Sequence, residues 1–395
     1  MILALLEFLS FYMKIPAAFS YASTRMVLAA LTALLIVWFF GSRVITFLYN
    51  LKTGQSIRVE DCPMLASLHE KKKSTPSMGG LLIIASIAVS ALLWMKLSSP
   101  FTYLLLFCLL SLGVVGGLDD YLKMKYKNSK GLKSSSKFLA QLLIAASFCL
   151  YLYVPCVASR VNATMQLTPV EARINKQEKK MLATNEYQGV YYLPFKKMPF
   201  FILTGAGLLL GALFTVFVIT GASNAVNLSD GLDGLATGLV MMVAGVLAIC
   251  AFLSNHSALA EYLNILYIEG SGEIGVFLMA LVGSCLGFLW YNAYPAQVFM
   301  GDVGSLALGG VLGLSSVLLR KEFLLAMIGG VLVVEALSVI LQVASFKIRK
   351  KRILRCAPIH HHFEYKGWTE TKIVMRFWII GLLLALVGIF SFKFQ

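Results

Sequence analysis

Apolar residues in this chain come in long runs, separated by shorter stretches where charges, glycines and prolines collect. About 20 apolar residues are what a helix needs to cross the hydrocarbon core of a bilayer. On that rule the sequence predicts ten membrane helices, near 26–48, 78–95, 101–118, 138–157, 199–220, 235–253, 274–290, 303–319, 322–345 and 374–392. An even number of crossings puts both termini on one side. The expected fold is an all-α polytopic membrane protein, a single integral membrane domain over 1–395. Its one long polar excursion, 158–198, mixes charges with Pro, Asn and Gln and is expected to be partly ordered and without chemistry.

Composition agrees with the pattern. Hydrophobic residues make up 58% of the chain and charged residues 13%, against roughly 45–50% and 25% in soluble domains. The net charge of +15 does not point to nucleic acid, because no soluble basic domain exists to carry such a site, and basic residues flank the apolar runs instead. Seven cysteines (62, 108, 149, 156, 250, 285 and 356) have no C-x-x-C spacing and fall mostly in apolar runs, so they read as small core residues. Met1–Ser20 imitates a signal peptide but lacks a basic start, and is expected to be a retained interfacial segment. No fixed-period repeat or low-complexity tract stands out.

Charge decides the sidedness. Segments after odd-numbered helices hold 19 Lys and Arg, and those on the other face hold 13, of which seven lie in the single long segment 158–198. Long loops dilute the orientation signal, so the first set is assigned to the cytoplasm and both termini to the external, periplasmic side. That assignment collects the polar motifs on one face. Asp119, Asp120, Asp230, Asp233, Asp302 and four of the five histidines are all expected in cytoplasmic loops.

The motifs carry several possible chemistries. Gly116 to Lys123 puts adjacent carboxylates, Asp119 and Asp120, where the third run reaches the surface. On a helix they diverge by about 100°, so separate jobs are expected rather than one shared grip on an ion. Asn224 to Gly234 offers Asn227, Asp230 and Asp233 with two glycines; the plain alternative of a helix cap accounts for one carboxylate more easily than two. Phe299 to Ser305 opens the eighth helix, with Asn292 upstream; Asp302 suits a helix N-terminus or a Mg²⁺ site. No P-loop pattern is present.

Ala357 to Glu364 holds three consecutive histidines after a basic run. Their side chains diverge on any regular backbone, which disfavours zinc and favours hydrogen bonds to phosphate. The basic run itself suits anionic headgroups. His69 to Gly80, with Lys72 and Ser77, enters the second helix, and Lys123, Lys130, Lys133 and Lys137 follow the paired aspartates. Glu335 and Gln342 share a face of the ninth apolar run and are expected to support the site. Carboxylates for Mg²⁺, cations for phosphate, and amides with an aromatic for a base together ask for phosphoryl-group transfer to a lipid-soluble partner.

Those same residues carry a family likeness. From Met1 to the last helix, the chain closely resembles the phospho-N-acetylmuramoyl-pentapeptide transferases of the polyprenyl-phosphate N-acetylhexosamine-1-phosphate transferase superfamily. The likeness rests on Pro76 to Gly80, Asp119-Asp120-Tyr121, Asn224 to Leu235, Phe299 to Ser305 and Pro358 to Glu364. The last of these resembles the muramoyl-pentapeptide branch rather than the N-acetylglucosamine-phosphate branch. Departures are Ser74 for the usual glycine, Ser77 and Ser229 for the usual threonine, and the long segment 158–198.

The resemblance implies a multi-pass enzyme of the bacterial inner (cytoplasmic) membrane that moves phospho-MurNAc-pentapeptide from UDP-MurNAc-pentapeptide to undecaprenyl phosphate and releases UMP. It implies Mg²⁺ on Asp302, with Asp119, Asp120 and His360 at the catalytic centre. It places Lys72, Ser77, Lys123, Lys137, Asn227, Asp230, Asp233, Asn292, Phe299 and His361 around the substrate, with Phe299 stacked on uracil. A homodimer is implied as well. Direct displacement and a covalent aspartyl intermediate both remain open. The rivals are a UDP-GlcNAc polyprenyl-phosphate transferase and a polytopic transporter, which would hold its ionisable groups near the bilayer midplane.

Overall fold

The computed structural model describes residues 16–51, 75–126, 131–154, 164–166, 168, 181–183 and 187–394. Among the described residues ten helices of 15 residues or more build it: α1 (Ala22–Asn50), α2 (Gly80–Trp94), α3 (Pro100–Tyr126), α4 (Ser134–Tyr153), α5 (Leu208–Ser229), α6 (Leu235–Ser254), α7 (Gly272–Asn292), α8 (Gly301–Leu318), α9 (Gly330–Arg349) and α10 (Glu370–Ser391). Each answers to one predicted run. Among the described residues nine are long and apolar enough to cross a membrane, while α2, at 15 residues, is shorter.

The bundle is layered about α8. Its apolar stretch is 89% buried, against 22% for α1 and α9, so α8 forms the axis and the latter two face outward. Small residues let other backbones reach that axis. A side chain at Gly116 of α3 would sit 2.1 Å from the Asp302 carbonyl oxygen, and one at Gly80 of α2 would sit 2.2 Å from Gly304 N. These two glycines bring the starts of α2 and α8 and the last turns of α3 into contact, where the motif residues lie. The five described cysteines are buried, as their apolar surroundings suggested.

Several boundaries differ from the sequence expectation. The predicted helix 322–345 is two pieces, Glu322–Ile328 and α9, because the Gly329-Gly330 pair breaks it. The run predicted as 199–220 starts late and ends late: Phe201–Ile202 pairs as a strand and glycines delay the helix, which then continues to Ser229. Likewise α3 continues to Tyr126. Asp119, Asp120, Asn224 and Asn227 are therefore helical rather than in loops, as is Asp302.

All-α describes the bundle, to which two small antiparallel sheets are added. In chain order the strands are β1 (Thr164–Gln166), β2 (Met181–Ala183), β3 (Val190–Tyr191), β4 (Phe201–Ile202) and β5 (Tyr267–Ile268). They pair in the orders β2-β1-β5 and β3-β4, with Met165 opposite both Leu182 and Ile268. Of the polar excursion, the described strand β1 pairs with both β2 and β5, the latter following α6. Of the predicted interfacial N-terminal segment, Ala17–Ser20 forms a 3-10 turn and residues 1–15 lie outside the described residues.

Candidate active site

The C-terminal ends of α3 and α5 and the N-terminal ends of α4 and α8 meet in one polar centre. Lys123, one turn after Asp119 on α3, reaches Asp119 Oδ2 at 2.7 Å, Asp120 Oδ1 at 3.5 Å and Asp302 Oδ2 at 2.8 Å. Lys137 of α4 lies 2.7 Å from Asp302 Oδ2 and 3.6 Å from Asp119 Oδ2. Asn227 Nδ2 donates to Asp302 Oδ1 at 2.6 Å and to Ser305 Oγ at 2.8 Å. Asp302 is thus held from both sides, and it keeps 16% of its side chain open.

The adjacent aspartates do divide their work. Asp119 Oδ1 accepts the Leu132 N–H at 2.7 Å, which ties down the chain between α3 and α4. Asp120 Oδ2 instead accepts the Val303 N–H at 3.2 Å, serving an amide that the first turn of α8 leaves without a helical partner. The expected divergence is nevertheless bridged by Asp302 arriving from α8. One carboxylate oxygen from each of Asp119, Asp120 and Asp302 lies within 4.8 Å of the others. Among the described residues this is the one group of three donors so placed.

Chain pairing brings further motif residues to the rim. Phe299 N donates to Pro76 O at 2.9 Å, Gly79 N to Phe299 O at 2.8 Å and Gly80 N to Met300 O at 2.8 Å. This ladder sets Ser77 beside Gly301, whose positive φ of 73° turns the chain into α8. Asp230 accepts the Gly301 N–H. Burial first, then the Asp302 and Asp120 charges, push its carboxyl up to about 8. A carboxyl so displaced marks a site crowded with negative charge.

A second cluster fixes the 293–299 turn. Asn292 Oδ1 accepts from Gly234 N at 3.2 Å and Thr237 Oγ1 at 3.0 Å, while its Nδ2 donates to Val298 O at 2.9 Å. Buried and engaged at both amide atoms, it braces the turn that carries Phe299. Asp233 Oδ2 accepts the Ala296 N–H at 3.0 Å. Glu370, at the start of α10, accepts the Asp233 N–H at 2.7 Å.

The three histidines lie on a short helix, Ile359–Tyr365, and turn to three different partners. His360 Nδ1 lies 3.0 Å from Glu335 Oε2 and His361 Nδ1 2.6 Å from Glu364 Oε2, while His362 Nδ1 accepts the Arg355 N–H at 3.1 Å. The three rings diverge, as expected of consecutive side chains. His360 meets the rest of the site at Gly231, where any side chain would fall 2.3 Å from its Nε2. Lys72, His69 and Lys130 lie outside the described residues.

The structure adds residues that sequence reasoning passed over. Ser305 was inside a quoted motif without a role, and Gln141 of α4 bonds Asn224 Nδ2 at 2.8 Å through its Oε1. A buried amide within an apolar run was the available signal for Gln141. Glu370 has only the signal of an acidic residue in a first helical turn, which names no partner.

Hard oxygen donors clustered beside lysines suit a divalent cation such as Mg²⁺ together with phosphate oxygens. Comparison with known proteins fits that chemistry. The model of glycosyl transferase family 4 matches residues 102–320, more than half of the chain. The phospho-N-acetylmuramoyl-pentapeptide-transferase of Protochlamydia amoebophila (strain UWE25) is 54% identical over 396 residues, covering 97% of each chain. That of Thermodesulfovibrio yellowstonii is 44% identical over 397 residues, covering the whole of both. With relatives this similar over its full length, the chain belongs to the phospho-N-acetylmuramoyl-pentapeptide transferases of glycosyl transferase family 4.

Proposed function

We propose that the protein transfers phospho-MurNAc-pentapeptide from UDP-MurNAc-pentapeptide to undecaprenyl phosphate at the cytoplasmic face of a bacterial inner membrane, releasing UMP. The observation that carries the reading is the meeting of Asp119, Asp120 and Asp302 with Lys123 and Lys137 at the ends of α3, α4 and α8. A diphosphate substrate needs that mixture: cations for its oxygens and carboxylates for a metal. The excess of Lys and Arg after odd-numbered helices supports a cytoplasmic site with both termini outside.

Asp302 would hold Mg²⁺, with Asp119 and Asp120 beside it; when bound, the ion offsets charge growing on the departing UMP. Lys123 and Lys137 draw the phosphates of both substrates toward the centre. Asn227 fixes the Asp302 carboxylate from the side opposite the lysines. Ser77, Asp230 and His361 line the sugar diphosphate, Phe299 stacks on the uracil, and Asp233 and Asn292 hold the turn that presents it. Lys72 belongs to the same pocket by resemblance. His360 contributes a ring nitrogen toward the phosphates.

Asp119 acts here chiefly by holding Lys123 and the Leu132 backbone, since both its oxygens are engaged. The lipid phosphate scarcely needs a base: the second pKa of a phosphomonoester is about 6, so the nucleophile is already mostly ionised at neutral pH. By resemblance, a phosphate oxygen of the lipid attacks the sugar-linked phosphorus directly. The bond to the UMP oxygen breaks as the new pyrophosphate bond forms.

The sugar is the part of the reading easiest to overturn. Purified protein supplied with undecaprenyl phosphate, Mg²⁺ and either UDP-MurNAc-pentapeptide or UDP-GlcNAc is expected to release UMP from the first alone. Turnover of UDP-GlcNAc at a comparable rate would instead assign the N-acetylglucosamine branch.

A further inference from the structure

On α9, Glu335, Ser338, Gln342 and Ser345 recur at intervals of three and four residues and form one stripe. Three of them bind chain that follows the helix. Gln342 Oε1 accepts from Ile353 N at 3.0 Å and Leu354 N at 2.9 Å, and its Nε2 donates to Leu354 O at 3.0 Å. Ser345 Oγ donates to Lys351 O at 2.8 Å. The stripe folds residues 351–358 back along α9 and so delivers the histidine helix to Glu335.

The contact made there is unlike the others. Glu335 and His360 have fully buried side chains, 3.0 Å apart at Oε2 and Nδ1. A hydrogen bond in which Glu335 accepts puts the proton on Nδ1. His360 Nε2 is buried with no hydrogen-bond partner among the described residues, and it packs against Gly231. Gly231 follows Asp230, whose carboxyl accepts the Gly301 N–H one residue before Asp302. The unpartnered nitrogen therefore adjoins the segment that borders the carboxylate centre.

Resting on the transfer reading above, we infer that Glu335 is a positioning residue: it fixes the His360 ring with Nδ1–H toward itself and so reserves Nε2 for a phosphate oxygen of the substrate. With Nδ1–H held by Glu335, an Nε2–H on the same ring donates to such an oxygen, and no proton is exchanged in that contact. Carboxylate partners of metal-ligating histidines set ring orientation in this way at a cost on the order of 10–100-fold when lost, and a comparable effect is expected for a phosphate-facing ring.

Two measurements on the full-length protein decide it. In UMP release from UDP-MurNAc-pentapeptide, Glu335→Gln is expected to lower kcat by about 10–100-fold with KM within about threefold. In a His360→Ala background the same substitution is expected to cost nothing more, because its effect runs through the ring. An unchanged kcat, or a loss that multiplies that of His360→Ala, overturns the inference. ¹⁵N NMR of labelled histidine, assigned by the His360→Ala spectrum, is expected to show a proton on His360 Nδ1 in the wild type and its loss or shift in Glu335→Gln. A wild-type ring with its only proton on Nε2, or a spectrum that Glu335→Gln leaves unchanged, overturns it even if the wild type releases no UMP. Absence of wild-type turnover would remove the transfer reading and leave the NMR result to decide the positioning role.

Discussion

Replacing Asp302 by asparagine is expected to lower kcat by on the order of 10³-fold, measured as UMP release at saturating substrates. Asp302 is where the centre converges: both lysines reach its Oδ2, Asn227 holds its Oδ1, and it is the most open of the three clustered carboxylates. Asparagine keeps the shape but gives up the charge that a divalent cation and the two lysines share. A loss of several kcal/mol of charge stabilisation in the transition state corresponds to that factor. The apparent affinity for Mg²⁺ is expected to fall in the same variant. Activity within about tenfold of wild type would show that Asp302 is not the main ligand.

Asp119→Asn is expected to cost on the order of 10²-fold, and the loss is expected to persist as pH rises. If Asp119 removed a proton from the lipid phosphate, alkaline solution would do that work instead and restore most of the rate. The phosphate is already mostly ionised above about pH 6, so raising the pH gives the variant little. What it lacks is the charged anchor for Lys123 at 2.7 Å, whereas the amide oxygen still accepts the Leu132 N–H. Recovery at high pH would establish Asp119 as a general base and contradict the positioning role.

These residues were legible in the sequence because hydrocarbon leaves so few places for charge. A carboxylate at the end of an apolar run is conspicuous, and Asp119, Asp120 and Asp302 were found that way. Their helical setting was less visible: the apolar count stops at the first charge, but backbone hydrogen bonding does not, and α3 runs on to Tyr126. The break at Gly329 was hidden by a run that stays apolar on both sides of it. Pairings across the bundle were out of reach. Nothing in the spacing of Asp120 and Val303, or of Asp233 and Glu370, announces that they meet, because helix crossings create those contacts, at Gly116 for α3 with α8 and at Gly238, against Trp378, for α6 with α10. Glu335 was visible as a misplaced charge, while its partner His360 emerged only once the stripe on α9 had folded the chain back.

The transporter alternative loses its footing in the same geometry. Ionisable groups buried away from the carboxylate centre are paired: Glu335 is tied to His360, Arg25 and Glu273 pair at 2.7 Å between the starts of α1 and α7, and Arg320 and Glu322 lie 3.4 Å apart just after α8. Asp119, Asp120 and Asp302 cluster where α3, α5 and α8 meet.

The most direct test of the account is UMP release by the purified protein from UDP-MurNAc-pentapeptide, with undecaprenyl phosphate and Mg²⁺ present together and each omitted in turn. Direct transfer at the Asp302 centre predicts UMP and lipid-linked product in equal amounts when all are present, and neither when lipid phosphate or Mg²⁺ is left out. No UMP from folded protein with everything supplied, or UMP released without the lipid phosphate, would contradict it.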